Sequence, residues 1–299
     1  MKTTAITKET KAKKRPGSVE FKVLNSRPQL DDLWFMVGSR CNLSCTHCYV
    51  ASSPKNDTLE QIGIRDIKPF LEEAKEFGIR HIYFTGGEPF INREIIDMIE
   101  ESLKYADVTV LTNATYPILR HIPKLQRLNQ ESSNELSFRV SLDHFQKEKH
   151  EEIRGIGNFD RTVQNVIALQ EHGFRPIITS TAVVYEDGFS QEEAEERFKQ
   201  LFRDKGITVD VKLLPYNLEM GANLKRIRPT KHVFISEDCM TKPGITKEMF
   251  QCHNGRTIEK IKGRMVVYPC PIIYNDRRFE LAENLGESFN EVYLTHKAC

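Results

Sequence analysis

The sequence lacks any apolar run approaching the length of about 18 residues that a membrane-spanning helix requires. Its N-terminus, MKTTAITKETKAKKRPGS, lacks the apolar segment of a secretory signal peptide. The chain also lacks an excess of either charge, because 43 Lys and Arg face 42 Asp and Glu. A dedicated nucleic-acid-binding protein usually carries a strong basic excess. These absences predict a cytoplasmic protein that binds neither a membrane nor a nucleic acid.

The cysteine content is unusual for such a protein, with seven cysteines among 299 residues. In a reducing cytosol, an odd set of cysteines is typical of metal binding or catalysis and not of a disulfide framework. Three cysteines form one tight group and four lie in the last quarter of the chain: Cys41, Cys45 and Cys48, then Cys239, Cys252, Cys270 and Cys299. This distribution predicts two separate sites.

Apolar runs and helical patterns alternate between about residues 33 and 214. The predicted strands cover residues 33–37, 82–85, 108–112, 136–142, 177–184 and 209–214. The predicted helices cover residues 58–78, 93–105, a segment from Pro117, 159–172 and 191–205. Such an alternation predicts an α/β protein with parallel strands, either an open doubly wound sheet or a partial (β/α)6 barrel. In both cases functional residues are expected at the carboxyl ends of the strands.

Three regions are predicted along the chain. Residues 1–28 are polar, basic and without periodicity, which is typical of a flexible tail. Residues 29–224 hold the alternating strands and helices and form the core. In residues 225–299 the alternation ends and the remaining cysteines occur, so we expect a small cysteine-bearing α+β module there.

The first cysteine group, Cys41-Asn-Leu-Ser-Cys45-Thr-His-Cys48, directly follows the first predicted strand. Three thiolates suit a [4Fe–4S] cluster in which one iron has no protein ligand. That open iron could hold a small molecule through an amine and a carboxylate. Structural zinc is the alternative, although zinc modules usually supply four ligands as separated pairs.

Polar residues follow the second and third predicted strands. Gly86, Gly87, Glu88 and Pro89 end the second strand, where glycines allow the backbone to approach a ligand and carbonyls accept from an ammonium group, unless they merely form a tight turn. Asn113 ends the third strand and is placed either to bond a ligand or to cap a turn.

A CxxxCxxC motif after the first strand of an α/β domain resembles the radical S-adenosylmethionine (radical SAM) superfamily. The resemblance implies that Cys41, Cys45 and Cys48 hold a [4Fe–4S] cluster whose unique iron chelates SAM. Reductive cleavage of SAM then yields a 5′-deoxyadenosyl radical, which abstracts a substrate hydrogen. The electron would come from a donor such as flavodoxin or ferredoxin. The resemblance also implies that Gly86–Pro89 bind the SAM amino group.

Three further residues gain a role from the same resemblance. Ser141 and Arg154 resemble the pair that holds the SAM carboxylate in peptide-modifying members such as anaerobic sulfatase maturases, the alternative being a strand-end Ser and a surface Arg. His47 occupies a position where relatives often carry an aromatic residue near the adenine. Asp143 and His144 also lie past a strand end, but we interpret them as turn or solvent residues and predict no general base.

Cys252 and Cys270 bracket a predicted hairpin around residues 262–268. This arrangement resembles the twitch and SPASM extensions of radical SAM enzymes, which hold auxiliary [4Fe–4S] clusters. It implies Cys252, Cys270 and Cys299 as ligands, with Cys239 a candidate fourth. Because relatives continue beyond the position of Cys299, either the auxiliary cluster keeps an open iron or the chain is a truncated fragment. Buried free thiols are the remaining alternative.

These features predict a radical SAM oxidoreductase whose substrate is a peptide or protein to be matured. A radical SAM enzyme acting on a small molecule, in cofactor or sugar biosynthesis, is the enzymatic alternative. A non-enzymatic metal-binding protein is the third hypothesis, and it predicts no SAM cleavage.

Overall fold

The computed structural model describes residues 16–24, 27–214, 218–227 and 234–299. Most of the predicted basic tail, residues 1–15, lies outside the described residues. The segment that follows pairs with the C-terminal segment: Ser18 aligns with Tyr293 and Val19 with Val292 in an antiparallel bridge. No helix in the described ranges is long and apolar enough to cross a membrane.

The described residues form twelve strands and eight α-helices. The strands are β1 Ser18–Val19, β2 Val23–Leu24, β3 Arg27–Pro28, β4 Asp32–Met36, β5 His81–Thr85, β6 Asp107–Thr112, β7 Leu136–Ser141, β8 Ile177–Ser180, β9 Asp210–Leu213, β10 Gly255–Ile261, β11 Arg264–Tyr268 and β12 Val292–Tyr293. The helices are α1 Ile64–Glu76, α2 Ile95–Ser102, α3 Tyr116–Leu119, α4 Ile122–Glu131, α5 Lys147–Arg154, α6 Asn158–Glu171, α7 Gln191–Arg203 and α8 Glu237–Met240.

Eight strands make up the main sheet, in the order β11-β10-β4-β5-β6-β7-β8-β9. Strands β4 to β9 run parallel in chain order, which confirms the predicted α/β class with six parallel strands. The predicted hairpin is β10–β11, and β10 pairs in parallel with β4. The hairpin of residues 225–299 therefore extends the sheet of the core.

Strand alternation gives the parallel sheet two different faces. The outer face packs against the helices through fully buried side chains: Phe35, Phe84, Val110, Phe138 and Ile178. The residues between them face the other way and are mostly polar: Trp34, Tyr83, Thr109, Ser137, Arg139 and Thr179. The molecule thus has an apolar layer under its helices and a polar inner wall.

The first core helix begins later than predicted. Helix α1 starts at Ile64, and Asp66 accepts a hydrogen bond from the Gly63 N–H at 2.8 Å. Residues 58–63 are not helical because Leu59 is buried and hydrogen-bonded to Ser39 through both its N–H and its carbonyl. The predicted start of this helix at residue 58 was therefore wrong.

Two other predictions differ from the structure after the fourth and fifth parallel strands. Helix α5 was not predicted, because only two of its eight residues, His150 and Ile153, are buried. Strand β8 ends at Ser180 and not at Val184, since the chain turns into a 3₁₀ helix at Ala182–Asp187. Both differences lie at the carboxyl edge of the sheet, next to the cysteine loop.

Candidate active site

The first cysteine group forms a loop at the carboxyl end of β4. Backbone N–H groups point at two of its sulfur atoms: Leu43 donates to Cys41 Sγ at 3.4 Å, and Ser52 donates to Cys48 Sγ at 3.3 Å. Hydrogen bonds of this kind stabilise the negative charge of a thiolate and tune the potential of a bound cluster. The loop therefore suits sulfur atoms that carry charge.

Burial favours the protonated thiols of Cys41 and Cys45 when no metal is bound. It raises the pKa of Cys41 to about 12 and that of Cys45 to about 11, and the neighbouring cysteines contribute to the rise at Cys41. The cysteines thus lie within electrostatic range of one another. Within the described part of the chain, however, no three His, Cys, Asp or Glu side chains converge closely enough to hold a metal ion. The three sulfurs must rotate or shift to meet at one cluster.

The Gly86-Gly87 pair lies directly against the chain that enters the cysteine loop. Gly87 N–H donates to Gly38 O at 2.7 Å, and Glu88 N–H donates to Arg40 O at 3.0 Å. A Cβ on Gly87 would lie 1.8 Å from Arg40 O, and Gly86 has a φ of +122°. The two glycines are therefore required for the close packing of two backbone segments, which places residues 86–89 beside Cys41.

Glu88 is buried and holds the ends of two strands together. Its Oε2 accepts the Asn113 N–H at 2.8 Å, and its Oε1 accepts from Thr112 Oγ1 at 2.7 Å and from Phe90 N–H at 3.1 Å. Burial raises the pKa of Glu88 to about 6, while these donors oppose the rise. Both carboxylate oxygens accept from neighbouring segments, so Glu88 positions the loop at residues 86–89.

Asn113 lies against the cysteine loop, as its predicted place at a strand end implies. Its Nδ2 donates to Asn42 Oδ1 at 3.0 Å and lies 3.7 Å from Cys41 Sγ. Its Oδ1 accepts the Thr115 N–H at 3.0 Å. Asn113 therefore links the carboxyl end of β6 to the first cysteine.

His47 and Arg154 meet at a residue that the sequence did not single out as functional. Asp143 Oδ1 lies 2.8 Å from His47 Nε2, and Arg154 donates to both Asp143 oxygens through Nε and Nη2. Burial alone would raise the pKa of Asp143, but the charges of Arg154 and His47 hold it well below the usual range. Asp143 is only 1% exposed, which rules out the interpretation as a solvent residue.

The side chain of Arg154 is held by Asp143, which lies two residues beyond Ser141 in the chain. Ser141 is the last residue of β7 and pairs with Thr179 of β8. Arg154 ends α5, where the neighbouring Ile153 carbonyl accepts the Thr46 N–H at 3.0 Å. Asp143 could have been found from its place two residues after the end of β7, because ligands of open α/β sheets bind at the carboxyl ends of the strands.

The C-terminal cysteines form a second group on the other side of the cysteine loop. Burial raises the pKa of Cys252 to about 12, and Cys270 and Cys299 contribute to the rise. The three thiols therefore lie within electrostatic range of one another. Cys239 lies apart on α8, where its thiol is 3.4 Å from Ser236 Oγ.

A tyrosine pair connects the two cysteine groups. Tyr49, next to Cys48, donates its hydroxyl to Pro271 O at 2.9 Å, and Pro271 follows Cys270. Tyr274 donates in return to Tyr49 O at 2.9 Å. The hairpin region is therefore fixed against the cysteine loop by two partly buried hydrogen bonds.

Two cavities flank the cysteine loop. The first, about 600 Å³, is lined by Cys45 together with charged residues of α5 and of the segments after β8 and β9, among them Lys149, Glu186 and Arg226. The second, about 660 Å³, lies between residues 50–58 and the C-terminal segment. Gly221 packs tightly against the residue after the third cysteine, because a Cβ there would lie 2.2 Å from Tyr49 O. The cysteine loop is therefore bordered by two cavities of mixed polar and apolar lining.

Comparison with known proteins agrees with this site. The family model described as the radical SAM superfamily matches residues 35–201, so the chain belongs to that superfamily of enzymes, which bind a [4Fe–4S] cluster and SAM. The antilisterial bacteriocin subtilosin biosynthesis protein AlbA of Bacillus subtilis is 32% identical over 143 residues, covering 46% of this chain and 30% of the relative. A GTP 3′,8-cyclase of Peptoclostridium acidaminophilum is 27% identical over 218 residues, covering 72% and 63%. The chain thus spans less than two thirds of these relatives.

Solved structures share the fold. Streptococcus suis SuiB bound to its precursor peptide SuiA gives a TM-score of 0.55 at 14% identity, covering 85% of this chain and 62% of that one. The structure of anSMEcpe with bound AdoMet gives 0.56 at 16% identity, covering 85% and 77%. The polar strand ends, the N–H groups aimed at sulfur and the tight Gly87 contact are compatible with a cluster and SAM in this chain.

Proposed function

We propose that this protein is a radical SAM enzyme that matures a peptide or protein. Cys41, Cys45 and Cys48 hold the [4Fe–4S] cluster, through thiolates only. The SAM-binding residues are Gly86, Gly87, Glu88, Pro89, Asn113, Ser141, Arg154 and His47, with Glu88 acting through the loop that it positions. A one-electron donor such as flavodoxin or ferredoxin supplies the reducing electron.

When bound, the cluster and SAM supply a 5′-deoxyadenosyl radical that abstracts a hydrogen atom from the substrate. The residues of this chain bind these two groups and orient them. Asn113 fixes the first cysteine, and Glu88 fixes the loop at residues 86–89 through three hydrogen bonds. Arg154 uses Nε and Nη2 for Asp143, which leaves Nη1 to bind the carboxylate of SAM.

An auxiliary [4Fe–4S] cluster at Cys252, Cys270 and Cys299 is part of this proposal, as a twitch- or SPASM-like feature. The mutual electrostatic influence of the three thiols supports it. The place of Cys239, on α8 beside Ser236, favours an auxiliary cluster with three cysteine ligands.

The observation that carries the peptide assignment is that two cavities of about 600 and 660 Å³, and not one enclosed site, border the cysteine loop. A peptide needs a continuous surface on both sides of the reacting residue, whereas a small metabolite is usually enclosed in one concave site. The similarity to AlbA, named as a bacteriocin biosynthesis protein, points the same way.

The test is co-expression of the chain with each short open reading frame that flanks its gene, followed by mass spectrometry of the peptide products. We expect a change in the mass of one peptide that disappears in the Cys45→Ala variant. Consumption of GTP by the purified enzyme, with every peptide unchanged, would contradict the peptide assignment.

Small-molecule chemistry is the second candidate. Its support is the similarity to a GTP 3′,8-cyclase over 72% of this chain, a longer match than that to AlbA. The same experiment distinguishes peptide maturation from small-molecule chemistry, because GTP and the candidate peptides are assayed side by side.

A further inference from the structure

The inner wall of the sheet carries chemistry that the proposed SAM site does not use. Strand register aligns Trp34 with Tyr83, Tyr83 with Thr109, and Thr109 with Ser137. Nearer the carboxyl edge, Thr179 aligns with Lys212 of β9. A row of polar and aromatic side chains therefore crosses this wall just below the cysteine loop.

Trp34 and Tyr83 form a flat aromatic surface on this wall. Their rings stack at 4.0 Å with an interplanar angle of 8°. Trp34 is 7% exposed, and its buried Nε1–H has no hydrogen-bond acceptor among the described residues. A buried donor without an acceptor is costly in a protein, so this indole N–H is expected to meet a polar ligand atom.

Two cations share the same wall. Arg139 of β7 donates through Nε to Thr179 Oγ1 at 3.4 Å, and Lys212 lies beside Thr179 on β9. Burial and the positive charge of Arg139 lower the pKa of Lys212. The two cations are therefore close enough to repel each other. Across the described ranges, no carboxylate lies within salt-bridge distance of Lys212.

The opposite end of the wall is acidic. Asp32, at the start of β4, is far from Lys212 along the sheet, yet each influences the pKa of the other. Asp32 and Lys212 therefore lie within electrostatic range of each other across the inner wall. Asp32 begins β4, whereas Lys212 aligns with Thr179 near the carboxyl edge, so the cations lie toward the proposed SAM site and the carboxylate lies away from it.

We propose that Arg139 and Lys212 form a carboxylate-binding subsite that holds an acidic side chain of the substrate peptide, with an adjacent peptide group on the Trp34–Tyr83 surface. This inference rests on the proposed peptide substrate. A carboxylate has two oxygen atoms, one for each cation, whereas a triphosphate would demand more positive charge. The Trp34 Nε1–H would donate to a peptide carbonyl.

The test uses reconstituted holoenzyme with SAM and two probes, acetyl-Gly-Glu-Gly-amide and acetyl-Gly-Gln-Gly-amide. Trp34 is the only tryptophan of the chain, so its emission reports binding at this wall. We expect the Glu peptide to bind at least about tenfold more tightly than the Gln peptide. The Lys212→Met variant should lose most of that preference and keep its affinity for SAM.

Lys205→Met is the matched control, because Lys205 is exposed beyond the end of α7, and it should behave as the wild type. Equal binding of the two peptides to the wild type would overturn the subsite and leave the peptide function standing. If GTP displaced the Glu peptide at a lower concentration than free glutarate did, both the subsite and the peptide function would be overturned. Retention of the preference in Lys212→Met and Arg139→Gln would overturn the roles of the two cations.

Discussion

Asp143 Oδ1 lies 2.8 Å from His47 Nε2, which ties the carboxyl end of β7 to the residue that precedes the third cysteine of the loop. The same carboxylate binds Arg154 at the end of α5. One buried anion therefore connects the cysteine loop, a strand end and a helix end. The proposed SAM site depends on this connection for the orientation of Arg154.

Replacement of Asp143 tests this connection. Asp143→Ala leaves the buried Arg154 without its partner, and we expect a loss of about 3–5 kcal/mol in the free energy of unfolding. Chemical denaturation measures the loss. Asp160→Ala is the control, because Asp160 pairs with Lys147 on the surface and should cost about 1 kcal/mol or less. Equal losses in the two variants would contradict a structural role for the Asp143 network.

Glu88→Gln tests whether Glu88 positions the SAM-binding loop. A glutamine has one acceptor oxygen where the carboxylate has two, so at least one of the bonds from Phe90, Thr112 and Asn113 is lost. We expect the affinity for SAM to fall about tenfold or more, measured by equilibrium dialysis of reconstituted protein. Glu94→Gln, whose amide oxygen can still accept from Ile64 N–H at the start of α1, should leave that affinity within about twofold. A similar loss in both variants would assign the effect to general destabilisation.

Gly87→Ala tests the close packing beside Cys41. The added methyl group would lie 1.8 Å from Arg40 O, so residues 38–40 must move and displace the first cysteine. We expect the iron content after reconstitution to fall by half or more. Gly286→Ala, whose new methyl group would have its nearest neighbour at 3.6 Å, should retain wild-type iron. Full iron content in Gly87→Ala would show that the two backbone segments separate without consequence.

Glu259 predicts a pH dependence of stability. Burial raises its pKa to about 8 and Asn275 N–H lowers it in part, so the folded state holds the proton more tightly than the unfolded state. Its contribution is complete below the unfolded pKa near 4.5 and is lost as the pH rises through 8. The Tm of the wild type should therefore fall over this range, and less so in Glu259→Gln. Glu287→Gln, at an exposed site, should follow the wild type, and parallel curves for all three proteins would refute the assignment.

The sequence predicted the sheet well because its apolar runs coincide with buried strands. The strands β4 to β7 begin and end within about one residue of their predicted limits, since their alternating side chains must pack on the helices. The cysteine loop and Gly86–Pro89 were found for a different reason, namely that their spacing is local. Helix α5 was not predicted because its mostly charged residues show almost no apolar periodicity.

The rest of the site depends on contacts between distant residues. His47 and Asp143 are 96 positions apart, and their hydrogen bond exists only because the carboxyl ends of β4 and β7 meet at one edge. The start of helix α1 depends on a distant contact in the same way. The local sequence favours a helix from residue 58, but Leu59 is buried and hydrogen-bonded to Ser39, so the helix begins at Ile64. In both cases, contacts between residues distant in the sequence determine the local structure.

The most direct test of the central claim is anaerobic incubation of the reconstituted protein with dithionite and SAM, with 5′-deoxyadenosine and iron measured together. A variant in which Cys41, Cys45 and Cys48 are all alanine is assayed beside the wild type. We predict 5′-deoxyadenosine from the wild type only, and residual iron at the C-terminal cysteines of the variant. Zinc in place of iron after oxygen-free purification, or equal 5′-deoxyadenosine from both proteins, would contradict the account.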